Sequence, residues 1–187
     1  MNHRAFALSL IVSTLVAALI VGCASSSPGG GAANVYVALA AGHVRRVAVL
    51  PFRAPTELIG TSVSDLFITE LMKTTRYEIV ERGQLSQVLG ETDVQLSRLT
   101  AGQAVQLGRL AGADAVVVGT VSEYEMAAQG GRTLPVVGVS VRLIDATTGQ
   151  VLWSVDHAGR GGSGMTLPGQ ARAVVHEMVQ ALHRQLR

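Results

Sequence analysis

The sequence predicts an α/β domain: a mixed sheet flanked by helices, preceded by a signal segment and a flexible tether. Three observations carry this. Apolar runs at 46–50, 77–80 and 115–118 are separated by segments of helical periodicity, the pattern of strands linked through helices. Segments 137–144 and 151–155 alternate apolar and polar residues around a turn containing Gly149, as an antiparallel hairpin does. Ala171, Val174, Val175, Met178, Leu182 and Leu186 form one apolar stripe at helical spacing.

Taken in order, the domain is expected to run from Arg45 to Arg187. Arg46-Val-Ala-Val-Leu50 reads as a buried strand whose ladder ends at Pro51. Ser62, with Asp65 three residues on, matches a capping box, so a helix is expected from there with Val63, Leu66, Phe67, Leu71 and Met72 inward. Tyr77–Val80 is a second strand, and Gln84–Leu89 a short helix. Thr100 and Gln103 cap a third helix, with Ala104, Leu107 and Ala111 on one side and Gly112 as its stop. Ala115–Val118 is apolar without interruption, which suits a strand covered on both faces. The hairpin and the final helix complete the order β-α-β-α-α-β-β-β-α.

The chain before Arg45 has another character. Arg4 precedes an uncharged stretch, Ala5–Gly22, rich in Leu, Ile, Val and Ala, the charged-then-apolar arrangement of a secretory signal. A membrane span needs about 20 apolar residues, and length alone does not separate the two readings. Residues 24–33, mainly Ala, Ser, Pro and Gly, are expected to be a tether with an r.m.s. span of about 17–19 Å. Asn34–Ala41 fits either a short strand or an arm that packs on a neighbour.

The sole cysteine, Cys23, follows Ile20-Val21-Gly22 at the end of the apolar stretch. That sequence resembles the lipobox of bacterial lipoproteins. The resemblance implies cleavage between Gly22 and Cys23, diacylglycerol on the Cys23 thiol and a palmitate-type acyl chain on the new amino terminus. Three chains, at roughly 0.8 kcal/mol per buried CH₂, exceed what stable anchoring needs. Ala24 stands where inner-membrane retention would call for Asp, so the same resemblance implies the periplasmic face of the outer membrane. With one cysteine there is no intramolecular disulfide.

Composition narrows the partners. Fifteen Lys and Arg against 13 Asp and Glu give a formal net charge of +2, spread along the chain, and aromatic residues make up 4%. That is neither the electrostatic footprint nor the stacking platform of a nucleic-acid binder.

Three patterns approach known chemistry. His176-Glu177 opens an H-E-x-x-H zinc motif, but position 180 is Gln and His183 lies two turns from His176. Solvated histidines on a helix face are expected. Gly159-Arg-Gly-Gly-Ser-Gly164 matches G-x-G-x-x-G, yet follows a hairpin strand, with Met165–Pro168 before the next helix. A flexible loop is expected, and Ser163 lacks the second glycine of a nucleophile elbow. Asp65, Glu81 and Asp114 read as a helix cap, a strand end and a turn. No catalytic, metal or cofactor-binding residue is assigned, and the protein is expected not to be an enzyme.

Val47-Ala-Val-Leu-Pro-Phe52, Tyr77-Glu-Ile-Val-Glu-Arg82, Gly112–Thr120 and Val141–Gly149 leading to Trp153-Ser154 together resemble the CsgG-like lipoprotein family, which includes the curli secretion component. The core also resembles the amino-terminal domain of TolB and the lipoprotein activators of penicillin-binding proteins. In the curli protein, subunits form a barrel by inserting two long hairpins into the outer membrane. The corresponding places here, Met126–Pro135 and Gly159–Pro168, are too short to cross the bilayer and return, since each membrane strand alone needs about 9–11 residues. A relative without the pore is therefore expected: a non-enzymatic assembly, secretion-accessory or interaction component of the envelope. It would bind an envelope partner or itself through the exposed loops expected at Arg53–Gly60 and Met126–Thr133, or through the Asn34–Ala41 arm. Activation of a peptidoglycan synthase is the alternative, and a nucleotide-binding or hydrolytic enzyme using the Gly159–Gly164 loop is a second.

Overall fold

The computed structural model describes residues 31–38, 41, 43–89 and 95–187. The signal segment, Gly22, Cys23 and residues 24–30 of the tether lie outside them. Six strands form one mixed sheet: β1 Asn34–Val37, β2 Arg46–Val49, β3 Glu78–Val80, β4 Ala115–Gln129, β5 Arg132–Asp145 and β6 Val151–Arg160. Their spatial order is β1-β6-β5-β4-β2-β3. β3, β2 and β4 run parallel, and β4, β5, β6 and β1 alternate in direction. The helices are α1 Glu57–Thr74, α2 Arg82–Leu89, α3 Ala101–Leu110 and α4 Leu167–Gln185.

Two layers of helix cover the sheet unequally. α1 and α4 pack on one face, where Val47, Val117, Val141 and Val155 meet Val63, Leu71, Val175 and Met178. Phe67 lies at the centre of this layer, edge-on to Phe52 at 5.7 Å and tilted against Trp153 at 6.3 Å. On the other face α2 and α3 cover only the parallel strands, through Leu85, Ala104 and Leu107 on Ala48, Val80 and Val116. Among the described residues no helix lies on the outer face of β5, β6 and β1, and Ser140, Arg142, Asp156, Ala158 and Tyr36 are exposed there. Double coverage explains why β2 and the start of β4 are apolar throughout, while β5 and β6 alternate.

Several elements differ from the sequence expectation. α1 begins at Glu57, not at Ser62: Thr56 is the N-cap and its side chain accepts from the Ile59 N–H at 3.3 Å. Gly60 is a helix residue because the helix passes against strand backbone; a Cβ there would lie 1.9 Å from the Phe52 carbonyl oxygen. Asp65 is then no cap. It sits mid-helix on the exposed side, and its carboxylate pairs with Arg82 at the start of α2. Met72 falls outside the apolar stripe and is 60% exposed.

The hairpin strands are longer than their alternating cores. Met126–Thr133 is no loop: β4 and β5 stay paired out to Gln129 and Arg132. Gly130 and Gly131, at φ 56° and 75°, make the two-residue turn, the conformation that matches the strands' twist and favours glycine at both places. A bulge between Val121 and Glu123 interrupts the register. Arg53–Gly60 likewise is not an open loop, since Arg53 bridges Thr120 and Glu57–Gly60 is the first turn of α1. Of the two readings of Asn34–Ala41, the strand holds for 34–37: β1 pairs antiparallel with β6, Asn34 opposite Asp156 and Val37 opposite Trp153.

Candidate functional site

The near-motifs of the sequence dissolve into structural roles. His176 and Glu177 are neighbours on α4 but reach different partners. His176 Nδ1 lies 3.0 Å from Glu70 Oε2 on α1, and Glu177 Oε2 lies 2.7 Å from Nε2 of the buried His157 on β6. His183 Nε2 accepts from Arg187 Nε at 3.0 Å. His176 is an exposed histidine on the helix face, as expected, and its contact ties α4 to α1, while Glu177 ties α4 to the sheet through His157. Glu70 also accepts from Lys73 Nζ at 2.6 Å. Lys73, then His176, hold the Glu70 carboxyl below its ordinary pKa against the opposing effect of burial.

The glycines of 159–164 are not an open loop throughout. Gly159 and Arg160 end β6, and the Gly161 N–H donates to the Pro135 carbonyl at 2.8 Å. A Cβ on Gly159 would lie 2.7 Å from Gln170 Nε2, and one on Gly161 2.7 Å from Pro135 Cγ. These glycines let β6 pass closely beneath α4.

Asp65 and Glu81 line one groove, where Asp65 is paired with Arg82, and Asp114 lies away from them before β4. Asp114 accepts from the N–H groups of Arg46 and Arg45 at 2.8 and 2.9 Å, which lock the start of β2 to the turn before β4. Those two donors, Arg46 first, hold its carboxyl below the usual range. Asp145, opposite Ala115 in the β4–β5 register, plays the same part at the same end of the sheet. Its Oδ1 accepts from Thr148 and Thr147 N–H groups at 2.7 and 2.8 Å and shapes the β5–β6 turn. Among the described residues no three His, Cys, Asp or Glu side chains gather as a metal would need. No helix among them is long and apolar enough to cross a membrane.

Two surfaces remain. The first is the far end of the β4–β5 hairpin. β6 last pairs at Arg160 opposite Val136, and on the other side the last bond is from Val121 N–H to the Arg53 carbonyl at 2.7 Å. Beyond these points β4 has only β5 as a strand neighbour among the described residues. Met126 on this stretch is 45% exposed, and nearby Met165 is 41% exposed. Arg160 Nη1 braces the tip by donating to Gln129 Oε1 at 2.6 Å.

The second is a cleft of about 340 Å³ on the uncovered face, past the carboxyl end of β2. Its floor includes Val118, Thr120, Ser140 and Arg142; its walls come from Leu50, Arg53 and the segment from Leu96 to Ala101. Sequence reasoning missed it. Ser140 and Arg142 occupied visible outward positions of an alternating strand, but their meeting with Arg53 and Thr100 depends on the fold.

The family described as curli production assembly/transport component CsgG matches residues 40–173. The chain belongs to the CsgG family. Solved structures agree with this membership at the level of fold. The PelC dodecamer of Paraburkholderia phytofirmans is 23% identical with a TM-score of 0.60, over 82% of this chain and 97% of that one. Lipoprotein GNA1162 of Neisseria meningitidis is 20% identical with a TM-score of 0.56, over 76% of this chain and 97% of that one. No protein with a curated description matches. The CsgG-family core accounts for the mixed sheet with α1 and α4 on one side and α2 and α3 on the other.

Proposed function

We propose that this CsgG-family protein is a lipid-anchored, non-enzymatic component of the cell envelope that assembles with copies of itself through the β4–β5 hairpin. Cys23 carries the anchor, at the periplasmic face of the outer membrane, and the hairpin makes the contact. The observation that carries the reading is the hairpin itself. It extends past both neighbouring strands and presents a β4 edge with no partner strand among the described residues and with Met126 exposed on it. An unpaired edge of this kind is a template for another chain. Glu123, Glu125 and Arg132 along the hairpin suit a wet protein contact rather than a lipid one. Lipoprotein GNA1162 and the dodecameric PelC, both of the same fold, lend support to an anchored and self-associating state.

The test uses the full chain in mild detergent, with mass read by light scattering. Removing Ala127, Ala128, Thr133 and Leu134 deletes two rungs, 127 with 134 and 128 with 133, and keeps the Gly130-Gly131 turn. The intact chain is expected to run as an oligomer and the shortened one as a monomer of unchanged thermal stability. A monomeric intact chain would overturn the reading.

A further inference from the structure

We propose that the cleft on the uncovered sheet face binds an acidic saccharide, a small polyhydroxylated molecule bearing a phosphate or carboxylate. This goes beyond the assembly role and does not depend on it. Arg53 bridges Thr120 in a parallel pair, and Thr120 lies opposite Ser140 on β5. Arg142 sits two residues from Ser140 along the same face, opposite Val118. The two guanidinium-bearing side chains therefore flank one stretch of floor, and both line the same cleft. Among the described residues neither is in an ion pair, and no carboxylate lines the cleft. The nearest acid along that row, Asp156, is engaged by Asn34 Nδ2 at 3.0 Å.

Two neighbouring arginines facing a concave surface repel each other until an anion bridges them, and guanidinium groups grip phosphate or carboxylate with two parallel hydrogen bonds. The remaining polar lining is hydroxyl: Thr120 and Ser140 on the floor and Ser97 on the wall, the Thr100 hydroxyl being committed to Gln103. Hydroxyls both donate and accept, which matches the hydroxyls of a sugar. The amino end of α3 at Thr100 adds a favourable field for negative charge. It adds no free donor at the cap, because Thr100 and Gln103 satisfy each other's backbone N–H groups. The partly buried Leu96 and Leu99 give an apolar wall for the carbon face of a ring. About 340 Å³ is room for one such sugar rather than a polymer segment.

The full chain in detergent is titrated calorimetrically with glucose 6-phosphate, glucuronate, inorganic phosphate and glucose. One or both acidic sugars should bind, glucose should not, and inorganic phosphate should bind more weakly than glucose 6-phosphate. Arg53→Gln and Arg142→Gln should each weaken the acidic sugar by about tenfold or more, while Arg172→Gln on α4, across the sheet, leaves it unchanged. Equal binding of phosphate and glucose 6-phosphate would overturn the saccharide assignment. Absence of binding by both acidic sugars at millimolar concentration, or equal losses in all three variants, would overturn the site. Preference between glucose 6-phosphate and glucuronate identifies which anionic group the arginines select.

Discussion

His176 on α4 and Glu70 on α1 meet at 3.0 Å, Nδ1 to Oε2, so the two helices that share one face of the sheet are joined by a charged contact as well as by packing. Glu70 is 6% exposed and His176 lies at the surface, which makes the carboxylate the member that depends on its partners. Losing either Lys73 or His176 leaves a nearly buried acid less well compensated.

The first consequence is a pH dependence. The Glu70 carboxyl titrates lower in the folded chain than in the unfolded one, as do those of Asp114 and Asp145. Groups of that kind contribute stability above their unfolded pKa of about 4, and the contribution disappears as pH falls through the folded value. The urea midpoint should therefore decline from about pH 5 downward, and Glu70→Gln should flatten that decline while lowering the midpoint at pH 7. Parallel pH curves for the two proteins would show that the contact contributes nothing.

Asp114 offers a second test away from the helices. Asp114→Ala removes the acceptor for two backbone N–H groups at the entrance to β2, and the loss should be about 1 kcal/mol because water reaches the site. Denaturant unfolding measures it. Asp114→Asn, which keeps an acceptor oxygen, should recover part of the loss.

Gly60 and Gly102 are both helix residues, yet their alanine variants should move in opposite directions. A Cβ on Gly60 would penetrate the Phe52 carbonyl, and backbone cannot step aside, so Gly60→Ala should destabilise by about 3 kcal/mol or more. Gly102 on α3 has open space around its Cα, and Gly102→Ala should stabilise by about 0.5 kcal/mol. Thermal melts of the two variants decide it, and like signs would contradict the close approach of α1 to the β2 exit.

Gly161→Val examines the glycine-rich segment. Pro135 Cγ, Gln170 Oε1 and Met165 Sδ would all lie within 2.8 Å of the new Cβ. The variant should lose about 1–3 kcal/mol of stability through overpacking. Glucose 6-phosphate binding to the remaining folded protein should be unaltered, since the segment is not part of the cleft.

For the anchor, Cys23→Ser should move the protein from the envelope fraction to the soluble fraction, the acyl chains being the attachment proposed here. Sedimentation of cell fractions reads the outcome, and an unchanged distribution would separate the chain from the lipoprotein class.

Much of the α/β order was legible because each element carries its own period. The Thr100–Gln103 box, the α4 stripe and the Asp145–Gly149 turn are short-range patterns, and they appear in the structure where the residues place them. The errors share a cause. Ser62 with Asp65 matched a capping box and put the start of α1 too late, and Met126–Thr133 read as an exposed loop. In each case a partner distant in sequence, Phe52 or the facing strand, sets the conformation.

The amino-acid order by itself determined the class of fold, the positions of most helices and strands, the apolar faces and the lipobox resemblance at Cys23, because propensity, capping and periodicity act over a few residues. Tertiary structure alone decided that Arg53, Thr120, Ser140 and Arg142 share one cleft, that Glu70 meets His176, and that the hairpin outruns its neighbours. Those relationships span long stretches of chain, and only strand pairing and helix packing bring their members within reach of one another.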